Sequence, residues 1–528
     1  MNDLIRVCHE PNRGRCVIAN NDLPAGVPVL LDNAYASISL QACNWCFSSP
    51  QERANSSFFA LLPSETADSL FRCSRCKVAR YCTKKCQKCD WNEGNHRSEC
   101  ISWKTVEQAL RTRNSEKRSA SYPTILFVMR LAAQMYQTAS SDPTGNLCHH
   151  YGRNEFDQEK LQEFSEMAQL VFVHLLRVSI IQNNELEPRN SKQNDTKSTL
   201  LQITKLFCMV QCNVFTICNT LNEPLGIGLY PKAAMLNHSC TPNCIVRFDL
   251  TRKQAVIHTI ETIHSGQELT ISYVDIFDPT TIRKKRLRSS YFFDCTCQRC
   301  TSSQEDAFLE GFLCTQCRNT SESARILDEK KRIFRCCVCA HETPIDRHFE
   351  RMYFDWKSVL KSSNMSIDFL ERKWKLTKVL RLHYRNATRA TTARALSNAW
   401  LSYPSCSEME RQMRAVEYTF EEYQATEWIL PTKALPSRGL LCFQFARILI
   451  SLAEMETIEN LRFSSRLSAF LRLKGHSGYA LPLLEEARTL LHQALSILKC
   501  GYGRSHAIIE AMETWYLAQV ERYIQEIR

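Results

Sequence analysis

The stretch Leu236-Asn237-His238-Ser239-Cys240-Thr241-Pro242-Asn243-Cys244 decides how this chain is read. Two segments precede it, Asn213-Val214-Phe215-Thr216-Ile217 and Gly226-Ile227-Gly228-Leu229-Tyr230-Pro231. Two follow it, Gly266-Gln267-Glu268-Leu269-Thr270-Ile271-Ser272-Tyr273 and Tyr291-Phe292-Phe293-Asp294-Cys295-Thr296-Cys297-Gln298-Arg299-Cys300. An isolated Asn-His-Ser carries little information, so the weight rests on the ordered set. Ala255-Val256-Ile257-His258 and Glu268–Tyr273 have β-type composition. Cys295-x-Cys297-x-x-Cys300 supplies three thiolates, one short of a tetrahedral zinc site.

Toward the N-terminus the cysteines continue as Cys43-x-x-Cys46, Cys73-x-x-Cys76, Cys82-x-x-x-Cys86 and His96-x-x-x-Cys100. These are enough ligands for two closed, structural zinc sites. A C-x-x-C turn lets two sulfurs meet one metal, and helical i to i+4 spacing does the same for Cys82/Cys86 and His96/Cys100. Cys89 is read as a bystander. Toward the C-terminus, Cys314-x-x-Cys317 and Cys336-x-x-Cys339 have zinc-ribbon spacing. Cys337 competes there as a ligand, and free thiols in a loop are the alternative. With 27 cysteines in 528 residues, many in C-x-x-C pairs, zinc is favoured over disulfides.

The length predicts several domains, and a hydrophobic content of 44% with sparse Gly and Pro excludes a fibrous or wholly disordered chain. The formal charge of +12 is spread along the chain. Arg72, Arg75, Lys77, Arg80, Lys84, Lys85 and Lys88 permit a nucleic-acid reading, which Asp90, Glu93 and Glu99 dilute; a solvated basic face is the simpler account. The most apolar stretches, Leu170–Ile181 and Leu440–Leu452, contain His174, Arg177 and Arg447 and are too short to span a bilayer. The opening Met1–Arg6 has no apolar signal core, so an intracellular location without membrane contact is expected.

Residues 1–42 read as short strands around a Pro24-Ala25-Gly26 turn. Pro123–Tyr136 and Gln158–Ile181 read as helices, and the polar run Asn183–Lys197 as an exposed loop. From about residue 346 only helices are expected, with Leu484, Ala487, Leu491, Ala494, Leu495 and Leu498 at helical spacing.

Together the five ordered segments resemble the SET core and post-SET segment of the SET and MYND domain (SMYD) family. The first cysteine module, with Tyr81-Cys82, Cys86-Gln87 and Trp91, resembles a MYND finger. The resemblance covers residues 5–300 well and the C-terminal helices loosely. It implies a multidomain α+β protein. The N-terminal part of a SET β-fold would occupy 1–42, a MYND zinc finger 43–100, a helical insertion 101–200 and the SET core 201–275. A post-SET zinc site at 276–300, a zinc-ribbon-like insert at 301–345 and an all-α, tetratricopeptide-like lobe at 346–528 would follow. It implies interleaved finger sites, one using Cys43, Cys46, Cys82 and Cys86, the other Cys73, Cys76, His96 and Cys100. It also implies that Cys240 completes the post-SET site with Cys295, Cys297 and Cys300.

The activity implied is methyl transfer from S-adenosylmethionine to lysine of a histone or another protein, by a monomeric, zinc-dependent enzyme of cytoplasm and nucleus. An in-line displacement needs a neutral amine aimed at the methyl carbon, and positioning supplies much of the acceleration. A narrow, desolvated channel beside a cationic cofactor lowers the amine's pKa from its usual ~10.4, so no dedicated base is required. By resemblance Tyr273 and Tyr291 line that channel. Arg13, Gly14, Asn213, Leu236, Asn237, His238, Tyr273 and Phe293 lie on the cofactor side, with Asn213 toward the methionine part and Phe293 on the adenine. The bland alternatives are two core tyrosines with satisfied hydroxyls, and for His238 a structural hydrogen bond in a threaded loop.

The chain departs from the family in two places. The cofactor loop, usually Arg-Gly-x-Gly, reads Arg13-Gly14-Arg15-Cys16, and Ala234 stands where many relatives carry a small hydroxyl residue. A glycine allows close backbone approach and positive φ, so Cys16 is expected to narrow the site or tilt the loop. It favours the second reading, an inactive adaptor whose finger binds proline-rich peptides in transcriptional complexes. Direct DNA binding is a third reading and is not expected.

Overall fold

The computed structural model describes residues 3–10, 14–48, 70–112, 118–137, 147, 158–182, 193–302, 304–317, 322–360, 362, 365–455, 462–473 and 478–528. Arg13 lies outside them, as do 183–192 of the expected loop.

The β-core is a set of small sheets whose strands come from distant parts of the chain. Ile5–Glu10 pairs antiparallel with Gly14–Ala19. Pro28–Asn33 is an edge strand beside Gln254–Thr259, which pairs in turn with Cys244–Asp249. Ala36–Ile38 pairs with Pro224–Leu229, and that strand with Val214–Cys218. The shortest sheet is parallel and joins Asn237–His238 to Thr270–Ile271. Apolar residues alternate inward to form one core, with Ile5, Val17, Leu30, Tyr230, Leu236, Ile257 and Ile271 all buried. This matches the period-2 patterning that half-buried strands require.

Between Ala36–Ile38 and Val214–Cys218 the chain makes a long excursion. It carries the first cysteine module and the helices His96–Thr112, Arg118–Gln137, Gln158–Gln182 and Gln193–Asn213. Module and helices share one core, in which Cys73, Cys100, Trp103, Phe127, Met129, Phe207 and Val210 are buried. The last of these helices corrects the expected loop, because residues 193–197 are already helical. They open a helix whose buried apolar residues, Ile203, Leu206 and Phe207, come later. Polarity alone could not tell that opening from a loop.

A four-stranded sheet, in the order Phe312–Leu313, Ala324–Asp328, Ile333–Cys336 and Glu342–Pro344, follows the second cysteine cluster. Among the described residues, everything from Arg347 onward is helical apart from connections. Pro436–Ala453 and Ala480–Tyr502 form the centre of this region, burying Phe443, Phe445, Leu449, Leu484, Leu491 and Leu498. They approach closely at Gly439, where a Cβ would stand 2.8 Å from Leu498 Cγ. The predicted apolar stripe at 484–498 is therefore the inner face of a helix pair.

Candidate active site and metal centres

Four groups of ligand atoms converge, each within 4.8 Å of one another: Cys43/Cys46/Cys82/Cys86, Cys73/Cys76/His96/Cys100, Cys240/Cys295/Cys297/Cys300 and Cys314/Cys317/Cys336/Cys339. The interleaving of the first two is an arrangement in space that spacing alone left open. Cys89 and Cys337 stand outside all four groups. Thiolates with one imidazole are the donors zinc prefers, and four donors without an open position make closed sites. Elemental analysis of purified, chelator-free protein is expected to find about four zinc ions per chain, one for each group; one ion or none in well-folded protein would refute the scheme.

The supports of these centres were not foreseen. His96 Nε2 faces Cys76 Sγ at 3.6 Å, while Nδ1 lies 3.2 Å from Glu99 Oε1. The carboxylate thereby fixes ring orientation and tautomer, as outer-shell partners of metal-binding histidines do. Glu99 in turn accepts two 3.0 Å bonds from Arg130 Nε, and Arg130 also reaches Asp90 at 3.4 Å. Asp90 accepts from Tyr81 Oη and Asn44 Nδ2, both at 2.7 Å. Arg130, Glu99 and Asp90 are all buried. At the post-SET group, Arg283 faces Cys300 Sγ at 3.8 Å and Arg299 donates to the Cys240 carbonyl at 3.2 Å. Two buried guanidinium groups thus offset clustered thiolates.

The candidate reaction centre is built around the parallel pair. Thr270 stands opposite Asn237 and Ile271 opposite His238, which brings the Asn-His segment alongside the residues leading to Tyr273. Asn243 holds the arrangement: its Oδ1 accepts from Thr270 N–H and its Nδ2 donates to the Glu268 carbonyl, both at 2.8 Å. Tyr273 N–H donates to His238 Nδ1 at 3.0 Å, and Tyr273 Oη donates to the Leu236 carbonyl at 2.5 Å. The rings of Tyr273 and Tyr291 are 4.7 Å apart, His238 and Tyr273 5.3 Å, and His238 and Phe293 6.0 Å. Burial raises the pKa of Tyr273, Tyr291 adds to the rise, and burial also raises that of Tyr291, so both remain phenols near neutral pH.

Tyr273, Tyr291 and Asn213 line a cleft of about 540 Å³. Its floor is Cys244–Phe248, and its far wall comes from the C-terminal helices through Leu435, Pro436, Tyr502 and His506. Gly14, Leu236, Asn237, His238 and Phe293 do not line it. Asn237 Nδ2 donates to the Arg15 carbonyl and to Glu268 Oε1, both at 2.8 Å, tying the Asn-His segment to the strand that follows Gly14. Asn213 Nδ2 is held by the Met209 carbonyl at 2.8 Å.

The glycine pattern of the N-terminal loop resolves differently from expectation. Gly14 carries the positive φ, +71°, with no atom within 4 Å of where a Cβ would be. Cys16 is a buried strand residue, paired with Cys8 across the hairpin at an Sγ···Sγ distance of 2.9 Å. Its backbone is not in the left-handed region, so the position makes no demand for a glycine, and residues 11–13 of the loop lie outside the described residues. Cys16→Gly should therefore cost stability, about 1 kcal/mol from strand entropy and more from lost packing, as read by the unfolding midpoint.

The SET domain family model matches residues 14–274. The chain is 28% identical over 353 residues to histone-lysine N-methyltransferase ASHR1 of Arabidopsis thaliana, covering 63% of each. It is 31% identical over 246 residues to histone-lysine N-methyltransferase SMYD3 of Homo sapiens, covering 46% of this chain and 51% of that one. It is 30% identical over 310 residues to N-lysine methyltransferase SMYD2 of Sus scrofa, covering 57% and 61%. The chain thus spans between about half and just under two thirds of the length of these curated relatives. With the SET match and these relatives, the chain carries a SET domain and is similar to proteins of the SET and MYND domain (SMYD) family.

Proposed function

We propose that the chain is a protein-lysine N-methyltransferase using S-adenosylmethionine, with Tyr273 and Tyr291 as its catalytic residues. The observation that carries this reading is the position of Tyr273, which lines the cleft while its backbone and hydroxyl are held by His238 and Leu236 of the Asn-His segment. The residues around that segment fit the cofactor. Open space above Gly14 allows backbone approach, Phe293 and His238 offer ring faces for a purine, and the tyrosine oxygens are acceptors suited to a cation. In this reading Gly14, Asn213, Leu236, Asn237, His238, Tyr273 and Phe293 bind it, with Arg13 beside Gly14. When bound, it supplies an electrophilic methyl on a sulfonium.

The rest is positioning by the chain. Because Tyr273 Oη spends its proton on the Leu236 carbonyl, its lone pairs remain to accept from an amine N–H or a polarised C–H. Tyr291, 4.7 Å away, limits the amine's freedom. A desolvated aromatic channel favours the neutral amine, whose proton leaves to water before transfer. The post-SET metal group follows Tyr291 and Phe293 by a few residues and holds them against Cys240 of the core.

Residues 43–100 serve as a MYND finger in this reading, with proline-rich peptides as its ligands, and 276–300, 301–345 and 346–528 as post-SET, ribbon and tetratricopeptide-like units around the 1–42 and 201–275 core. The protein acts as a monomer in cytoplasm and nucleus, without direct DNA contact. Among the described residues no helix is long and apolar enough to cross a membrane. The deciding experiment is calorimetry with S-adenosylmethionine and S-adenosylhomocysteine, followed by labelled methyl transfer to lysine peptides. Neither ligand binding would sink the proposal.

A further inference from the structure

Among the described residues lining the cleft, one guanidinium, that of Arg247, has no hydrogen-bond or ion-pair partner. Arg247 lies on the strand Cys244–Asp249 and lines the cleft, and its Nε is sealed from solvent without a hydrogen-bond acceptor. Arg283, Arg299 and Arg438 also leave one nitrogen unsatisfied, but their other nitrogens bond to protein oxygens. The Arg247 guanidinium makes no hydrogen bond or ion pair with any described residue. The neighbouring acid, Asp249, is turned into its own loop, where Oδ1 accepts from Thr251 and Arg252 N–H, each at 3.1 Å. The cleft's other arginine, Arg394, is paired with Glu422 at 2.5 Å. Asp275, on the same wall, lies in the field of Arg394 and accepts from Phe277 N–H at 2.9 Å.

The groups facing Arg247 compensate its charge only through space, from Asp249, and burial outweighs that attraction. Burial and the guanidinium itself push His506 down to about 4, and burial does the same to His258 with Arg247 assisting. Both imidazoles are neutral near pH 7. His506 Nδ1 accepts from Ile508 N–H at 3.3 Å, which leaves Nε2–H as a donor at the cleft wall. Tyr502 spends its hydroxyl proton on the Thr220 carbonyl at 2.8 Å. A partly desolvated guanidinium without an acceptor is costly, and a carboxylate matches its fork geometry. A neutral carbonyl would satisfy the N–H groups and leave the charge.

We propose that Arg247, with His506 beside it, forms a subsite for an acidic side chain, glutamate or aspartate, carried on the same substrate segment as the target lysine. This assignment rests on the reading of the cleft as the seat of a lysine-bearing chain. It makes Arg247 a specificity-determining residue that sets sequence context without touching the reacting atoms.

The test uses the full zinc-loaded chain and lysine-centred peptide pools with one flanking position fixed in turn as Glu, Gln or Lys. Binding is read by fluorescence anisotropy and methyl transfer by labelled cofactor. At one flanking position the Glu pool should bind roughly 10- to 100-fold better than the Gln pool, as a charge-assisted contact commonly supplies. Arg247→Gln should erase that ratio, Arg247→Lys should restore part of it, and Arg247→Glu should invert it toward the Lys pool. The lysine variant guards against a mere folding defect. Equal ratios at every position, or an unchanged ratio in Arg247→Gln, would overturn the subsite. Glu-selective binding without methyl transfer would keep the subsite and defeat the proposed activity; transfer without selectivity would do the reverse.

Discussion

Arg130→Met is expected to destabilise the protein by about 3–5 kcal/mol, the usual cost of removing one partner from a buried ion pair. Glu99 and Asp90 are fully buried, and Arg130 is their shared cation. Methionine fills similar volume, so the expected loss comes from charge and hydrogen bonding rather than from a cavity. The damage should reach the metal. Glu99 orients His96 within the Cys73/Cys76/His96/Cys100 group, and a carboxylate freed of its arginine would protonate or turn away. Zinc release to a chromogenic chelator should accelerate at least tenfold and the thermal midpoint should fall. Arg130 also donates to the Ser37 carbonyl at 2.5 Å, so the finger, the inserted helices and the strand Ala36–Ile38 should loosen together. Retention of both zinc and midpoint in the methionine variant would show that the buried cluster contributes little.

Tyr273→Phe is expected to slow methyl transfer about 100- to 1000-fold, corresponding to ~2.7–4 kcal/mol of barrier, while cofactor affinity changes little. The substitution removes one oxygen and almost no volume. That oxygen donates to the Leu236 carbonyl in the resting protein, so the variant also leaves a carbonyl less well satisfied. The stability penalty should be about 1 kcal/mol, far below the kinetic effect. The contrast separates roles, because a core tyrosine would show the stability loss alone. Single-turnover methylation beside calorimetry on the same variant measures both, and normal turnover would remove Tyr273 from the catalytic assignment. His238→Ala should behave oppositely, weakening cofactor binding first, because its Nδ1 holds the backbone of Tyr273 and its ring faces Phe293.

The ligand pairs were legible because their information is local: C-x-x-C turns and i to i+4 helical pairs place sulfurs together whatever the rest of the chain does, whereas which pairs share a metal, and the place of Cys240, came only from the resemblance. The five ordered segments likewise marked the strand core, while the parallel pairing of Asn237–His238 with Thr270–Ile271 came only with the structure. Arg130 was not legible as a partner of Glu99, since the pair is separated by 31 positions and joined only by packing. A signal existed in the lone charge within Ile125-Leu126-Phe127-Val128-Met129-Arg130-Leu131-Ala132-Ala133, on a stretch otherwise all apolar. Charge inside such a run implies a buried counter-charge. The pairing of Cys16 with Cys8 was not legible, because it becomes visible only in the hairpin register. The helix start at Gln193 was missed because the polar run Gln193–Lys197 has no apolar periodicity to show.

The far wall of the cleft has a consequence for how the protein comes into being. Leu435, Tyr502 and His506 close a cavity whose floor is formed by Cys244–Phe248. They are tied to it by the Tyr502 bond to the Thr220 carbonyl, the Cys500 contact with the Thr259 carbonyl at 3.6 Å and the ion pair of Lys433 with Glu261. At about 5–20 residues per second of synthesis, the stretch from Phe248 to His506 takes tens of seconds to emerge. During that interval the β-core and its first metal groups can form on the ribosome, with the tyrosines facing an open trough. The far wall is thus the last part of the cleft that the nascent chain acquires, and a ribosome stalled between residues 300 and 430 would display the tyrosines of the proposed methyl-transfer centre in an open trough.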